Sequence, residues 1–184
     1  SDITVSCEAS VIRDADGLIL PGVGASGYAM QKVAPIAEVI KEQAAAGTPL
    51  LGICVGFQLL FEVSHEMGTH PCLGLIKGTV DPIPTDRALT IPHMGWNYVT
   101  FDPGMRLFAG LGQGRHFAFA NSFYAQMDDA QTQAAVTEYG VAITAAVEKG
   151  NIYGCQCHPE KSAADGLQVL RNFVTICDEE QGRC

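Results

Sequence analysis

Positive charge is scarce in this sequence. Eleven Lys and Arg stand against 20 Asp and Glu, giving a formal net charge of −9. A surface of that sign repels phosphate backbones and anionic lipids, so neither nucleic acid nor a membrane surface is expected as a partner. Long apolar runs are lacking too, and none approaches the ~20 residues that cross a bilayer. The start, Ser1-Asp2-Ile3-Thr4, has neither the basic region nor the apolar core of a secretory signal. Internal repeats, low-complexity stretches and long polar linkers are absent, which excludes solenoids and disordered arrays. Cysteine is not scarce, but its count of seven is odd. With no secretory signal, that argues against a disulfide framework and for reduced thiols, several of them packed as small apolar side chains. Cys155-Gln156-Cys157-His158 invites a metal reading. Two cysteines two apart in a strand share one face and cannot complete a four-ligand site alone. No second C-x-x-C or H-x-x-x-H pair exists to help, so no metal is expected.

What is there is an ordinary globular balance, 47% hydrophobic and 17% charged over 184 residues, enough for one domain. Gly17-Leu18-Ile19-Leu20 reads as a short buried strand feeding a turn at Pro21-Gly22. Apolar residues at helical spacing predict a helix over Val33 to Ala46, stopped by Gly47. Leu50 to Ile53 is a second apolar strand, and a helix starts at Val55 and runs toward Phe61. This order predicts a parallel α/β sheet. Further on, Thr90-Ile91, Tyr98 to Phe101, His116 to Phe119 and Val141 to Ile143 alternate between turn residues and read as antiparallel strands. Ile152 to Cys157 is another strand, and Ala164 to Cys177 an amphipathic helix. The expected fold is therefore one α/β domain: an open, mostly parallel sheet flanked by helices, with an antiparallel extension.

Three segments carry chemistry. In Gly52-Ile53-Cys54-Val55-Gly56-Phe57-Gln58, a cysteine between two glycines falls at a strand-to-helix junction. The glycines relieve a turn too tight for side chains, and the cysteine projects from the strand end. Helix N-terminal amides would lower its thiol pKa and could receive an oxyanion. A buried structural cysteine would fit the same spacing. In His158-Pro159-Glu160, a base follows a strand directly, where parallel α/β proteins place reactive groups, and a carboxylate lies close enough to hold its tautomer. Together with Cys54 these complete a Cys-His-Glu triad. In Pro21-Gly22-Val23-Gly24, two glycines allow backbone to approach a ligand or present an amide. His65, His70 and His116 carry no motif and read as surface or loop residues.

Gly-Ile-Cys-Val-Gly-Phe-Gln with His-Pro-Glu resembles the class I (triad) glutamine amidotransferases, whose core is flavodoxin-like. Leu20 to Gly24, Pro92-His93-Met94-Gly95-Trp96-Asn97 and Gln156 to Ser162 are similar to one branch, the glutaminase subunits of imidazole glycerol phosphate synthases. The resemblance runs from about Asp16 to Phe173, and the Pro92–Asn97 segment is its discriminating part. It implies that Cys54 attacks glutamine, His158 moves protons and Glu160 orients His158. Val55 and the Gly22-Val23-Gly24 segment would form the oxyanion hole. Gln58, Ser122 and Phe123 would hold the substrate. His93, Met94, Trp96 and Asn97 would lie toward a (β/α)8-barrel synthase subunit that uses the ammonia. Neither a metal nor an organic cofactor is implied, and the compartment would be the cytoplasm.

The sequence departs from the family in places. Members usually begin with a strand and helix that precede the segment matching Ser1 to Ile12, so an edge of the sheet and some apolar surface are expected to be uncovered. Asn121 stands where relatives often have His, and Phe57 where Met is common. Cys155 and Cys157 replace other side chains and should loosen packing slightly. The glutaminase of another synthetase, a hydrolase of a different amide, and a catalytically silent scaffold remain open alternatives at this point.

Overall fold

The computed structural model describes residues 2–84 and 89–182. In chain order the elements are α1 (Ala9–Arg13), β1 (Leu18–Leu20), α2 (Ser26–Val33), α3 (Ala37–Ala45), β2 (Leu50–Ile53), α4 (Val55–Gln58), β3 (Val63–Ser64), β4 (His70–Pro71), β5 (Gly78–Pro82), β6 (His93–Thr100), β7 (Gly114–Asn121), β8 (Phe123–Met127), β9 (Gln133–Glu138), β10 (Ala142–Lys149), β11 (Ile152–Cys155) and α5 (Ala163–Glu180). Seven strands form one mixed sheet in the order β1-β2-β11-β10-β9-β6-β7. β1, β2 and β11 are parallel neighbours, and the remaining pairings of this sheet are antiparallel. A parallel α/β core with an antiparallel extension is present, but the sheet is mixed and not mostly parallel as expected, since only β1-β2 and β2-β11 pair in parallel within it. A second sheet has the order β4-β3-β5-β8.

β2 shows why the core strands are apolar throughout. Leu50 packs into one apolar cluster with Val33, Ile40, Phe57 and Phe61, and Leu51 into another with Phe117, Tyr153, Phe173 and Ile176. Both faces of the strand are covered, so polar alternation has no place. β1 differs from its expected burial. It is the edge strand, and Ile19 is 48% exposed.

Three local expectations fail, two of them at a proline. The helix expected over residues 33–46 is broken: α2 ends at Val33, a 3₁₀ turn spans Ala34–Ile36, and α3 begins at Ala37. Pro35 has no N–H to continue the α2 ladder, and its ring crowds the preceding turn. Gly47, at φ +97°, does terminate α3. The helix expected to run from Val55 toward Phe61 ends at Gln58. Thr90-Ile91 is not a strand, because Pro92 cannot donate to a ladder and pairing begins one residue later, at His93.

The two sheets part at one residue. β7 ends at Asn121 in the large sheet, β8 begins at Phe123 in the small one, and Ser122 links them. Its carbonyl accepts Ile83 N–H at 2.9 Å.

Candidate active site

Cys54 caps α4 at φ +54° and ψ −110°, a region that residues with a Cβ rarely occupy. The surroundings force it there. Its N–H donates to Cys155 O at 2.8 Å, tying the elbow to β11. A Cβ on Gly52 would meet Gly56 O at 2.6 Å, and one on Gly56 would overlap Leu20 O. Both flanking glycines are therefore steric necessities, as their spacing suggests. The thiol is buried, and Gln156 Nε2 approaches Sγ at 3.9 Å. Burial pushes the thiol pKa up to about 11; the Val55 N–H opposes this shift without overcoming it. The helix-assisted thiolate expected from the sequence is not the resting state. α4 is a single turn, and desolvation outweighs it.

His158 is buried and follows β11 closely in the chain. Its N–H donates to Ala118 O at 2.8 Å, so the base hangs on β7. Its Nδ1 meets Glu160 Oε1 at 2.7 Å, the orienting contact expected of the triad. Ser162 fixes the same backbone from below. Its hydroxyl donates to His158 O at 2.6 Å and accepts Ala118 N–H at 2.9 Å.

Cys54 and His158 line one cavity of about 370 Å³, together with Val23, Gly24, Val55, Gln58, Ser122 and Phe123. Gly22 supports this wall from behind, since a Cβ there would meet Gly56 N at 2.8 Å. Its carbonyl holds Val55 N–H in a long bond of 3.4 Å. Gly24 sits at φ +86° with open space where a Cβ would point. Gln58 is more committed than the sequence suggests. Its Nε2 donates to Gln156 Oε1 at 2.9 Å and to Phe123 O at 3.3 Å, which leaves its own Oε1 for a ligand.

Several contributors escape sequence reasoning. Glu66 lines the cavity, and its Oε2 accepts Ser26 N–H at 2.6 Å, locking the turn after Gly24 to the small sheet. The buried Ser26 and Ser64 hydroxyls meet at 2.7 Å beside it. Asn121 and Lys161 also line the cavity. Gln156 and Lys161 lie inside the quoted family segment, but Glu66, Ser26 and Ser64 carry no local signal.

The Pro92–Asn97 segment divides between two faces of β6. Met94 and Trp96 are 72% and 56% exposed, as a partner-facing role requires. His93 is buried on the opposite face and Asn97 is half-buried there, because strand side chains alternate. Those two do not face outward. His65 and His116 are exposed as expected, and His70 is partly buried against Gly27. Cys155 and Cys157 are fully buried in one apolar cluster. Among the described residues, six cysteines are free thiols and no group of His, Cys, Asp and Glu could hold a metal ion. Cys184 lies outside the described residues.

An elbow cysteine, a carboxylate-held histidine at a strand end and a shared cavity in an α/β fold define an amidotransferase-type cysteine hydrolase. The family model for class-I glutamine amidotransferases matches residues 3–177. Relatives include the imidazole glycerol phosphate synthase subunit HisH of Sulfurimonas denitrificans, 47% identical over 88% of this chain and 80% of that protein. The HisH of Lacticaseibacillus casei is 44% identical over 96% and 85%. A solved structure of a putative GMP synthase protein from Thermoplasma acidophilum shares the fold at a TM-score of 0.71, with 20% identity over 96% of this chain and 79% of that one. The chain belongs to the class-I glutamine amidotransferases and, within them, to the HisH subunits of imidazole glycerol phosphate synthase.

Proposed function

We propose that this chain hydrolyses glutamine to glutamate and ammonia through Cys54, His158 and Glu160. The observation that carries the reading is the elbow thiol sharing a cavity with a histidine whose Nδ1 is held by Glu160 at 2.7 Å. At a resting pKa of about 11, Cys54 attacks only as His158 takes its proton. The sulfur adds to the side-chain carbonyl of glutamine. Val55 N–H exchanges its long bond to Gly22 O for the developing oxyanion, assisted by backbone of the Gly22–Gly24 turn. His158 returns the proton to the leaving nitrogen, which departs as ammonia, and a thioester remains. Water then attacks the thioester with His158 as base, glutamate leaves, and the thiol is restored. Glu160 keeps the imidazole in one orientation throughout. Glu66 and Lys161 line the cavity with opposite charges, matching the ammonium and carboxylate of an α-amino acid. Gln58, Ser122 and Phe123 complete the pocket around it.

Within the synthase, the ammonia passes to a partner built as a (β/α)8 barrel and reacts there with a phosphoribulosyl aminoimidazole-carboxamide nucleotide; its nitrogen enters imidazole glycerol phosphate, and an aminoimidazole-carboxamide ribotide is released. Met94 and Trp96 give β6 the exposed apolar face such a partner would cover. Among the described residues no helix is long and apolar enough to cross a membrane. The kinship with HisH subunits is what supports a cytoplasmic location. The test measures glutamate release from glutamine with and without a reconstituted barrel partner and its nucleotide. Release should depend on Cys54 and rise with the partner. Loss of stimulation would remove the partner assignment, and activity surviving Cys54→Ala would remove the mechanism.

A further inference from the structure

Three buried side-chain polar atoms among the described residues lack a hydrogen-bond partner, and two of them are neighbours: His93 Nδ1 and Asn121 Oδ1. His93 and Asn121 lie directly opposite each other in the β6–β7 register, so their side chains share a face of the sheet. Both are more than nine-tenths buried. Asn121 lines the Cys54 cavity, and His93 follows directly on Pro92, another of its lining residues. An orphaned polar group at such depth is costly unless something satisfies it.

Their chemical characters can be read from their neighbours. Asn97 Oδ1 accepts Tyr98 N–H at 2.8 Å, so its other terminal atom is the amide nitrogen, a donor only. That nitrogen donates to Glu138 O at 2.9 Å and lies 3.3 Å from His93 Nε2. Nε2 is therefore an acceptor, and the neutral imidazole carries its hydrogen on Nδ1. Burial lowers the His93 pKa to about 4, so the ring is neutral near pH 7. The ring is also clamped, stacked on Tyr139 at 3.9 Å and on Phe119 at 4.7 Å between centroids. Asn121 Nδ2 donates to Phe123 O at 3.0 Å, which leaves Oδ1 as the acceptor. A fixed donor and a fixed acceptor thus belong to two opposed residues, one of which lines the cavity and the other of which is buried next to a lining residue.

Building on the glutaminase reading, we infer that His93 and Asn121 hold the ammonia released at Cys54, as the first station on its way out of the cavity. The pair suits a small molecule that accepts one hydrogen bond and donates another. Ammonia and water both do this. Ammonium does not, because it has no lone pair to offer His93 Nδ1–H. The station accordingly selects the neutral, nucleophilic form of the product. It also lies on β6, the strand whose other face carries Met94 and Trp96.

The test uses the complex with the barrel partner, in which glutamate formed is compared with cyclised product formed. His93→Phe keeps the stacked ring and removes both nitrogens. It should still fold, since Nδ1 has no partner to lose and the half-buried Asn97 amide that gives up Nε2 keeps Glu138 O, so that a single hydrogen bond is lost. Glutamate release should persist, while glutamate per cyclised product rises about twofold or more and the excess nitrogen appears in bulk solution. Asn121→Leu also changes the cavity wall, so its glutamate rate is free to fall, but glutamate per cyclised product should rise in the same direction; product formation from added ammonium chloride should be unchanged in both variants. Retained one-to-one coupling would overturn the inference. So would one-to-one coupling with accumulated thioester, which would assign the pair to the hydrolytic water. Absence of glutamate release from the parent chain would instead defeat the glutaminase reading itself.

Discussion

Ser162→Ala is the sharpest test of how the base is held. The Ser162 side chain is 1% exposed and does two things. It donates to His158 O at 2.6 Å, and it accepts Ala118 N–H at 2.9 Å. His158 O keeps a second donor in Lys161 N–H at 3.0 Å, so that carbonyl loses strength but not its last partner. Ala118 N–H loses its acceptor. One net hydrogen bond, at about 1 kcal/mol, plus an orphaned buried donor, at about 1–3 kcal/mol, gives a destabilisation of about 2–4 kcal/mol. For a chain of this size that is a fall in melting temperature of roughly 4–16 °C. The catalytic effect comes from displacement of the imidazole. Misplacement by about 1 Å can cost about a hundredfold in rate, and Glu160 still holds the ring, so a roughly tenfold loss of kcat with little change in KM is expected. Thermal unfolding and steady-state glutamate release measure the two effects on one preparation. A variant as stable as the parent, or one that loses KM and keeps kcat, would refute the role given to Ser162.

Gly56→Ala should cost about 3 kcal/mol or more, because its Cβ would collide with backbone Leu20 O and not with a yielding side chain; a urea midpoint close to the parent's would contradict the elbow geometry. Glu160→Gln should lower kcat about a hundredfold without raising KM. The loss is smaller than the ~10⁴ seen for a buried triad acid because the Glu160 side chain is 48% exposed; kinetics at saturating glutamine decide it. Burial raises the thiols of Cys54, Cys72 and Cys177 from 9.0 to about 11, so the folded state holds these protons more tightly than the unfolded chain. Their contribution to stability is whole below pH 9 and drains away as pH rises toward 11. Denaturation midpoints at about pH 8 and about pH 10.5 should therefore differ, with the alkaline one lower, and equal midpoints would count against buried neutral thiols.

The parts of the site legible in the sequence are those whose geometry is set by near neighbours. Gly52 and Gly56 bracket Cys54 because the turn itself leaves no room, and Glu160 reaches His158 across two residues. β2 is recognisable as a core strand by its two-sided apolar run. What cannot be read depends on contacts between distant segments. Glu66 meets Ser26 only because the two sheets come together, and Ser162 meets Ala118 only because the chain after β11 packs on β7. The resting thiol pKa escapes the sequence for the same reason. The helix-start effect is local, whereas the burial that outweighs it is supplied by the whole fold. Pro35 is visible as a helix breaker but lies inside an apolar periodicity strong enough to hide it.

The parting of the sheets at Ser122 has a thermodynamic consequence. Gln58, Ser122 and Phe123 look into the cavity from the seam, with the large sheet ending on one side and the small sheet beginning on the other. A molecule seated there touches both, and its binding free energy is forfeited if the sheets separate. Occupancy acts as a rivet: ligand at about a hundred times its dissociation constant adds about 2.7 kcal/mol to the cost of opening the chain. The protein is then hardest to unfold while it is at work.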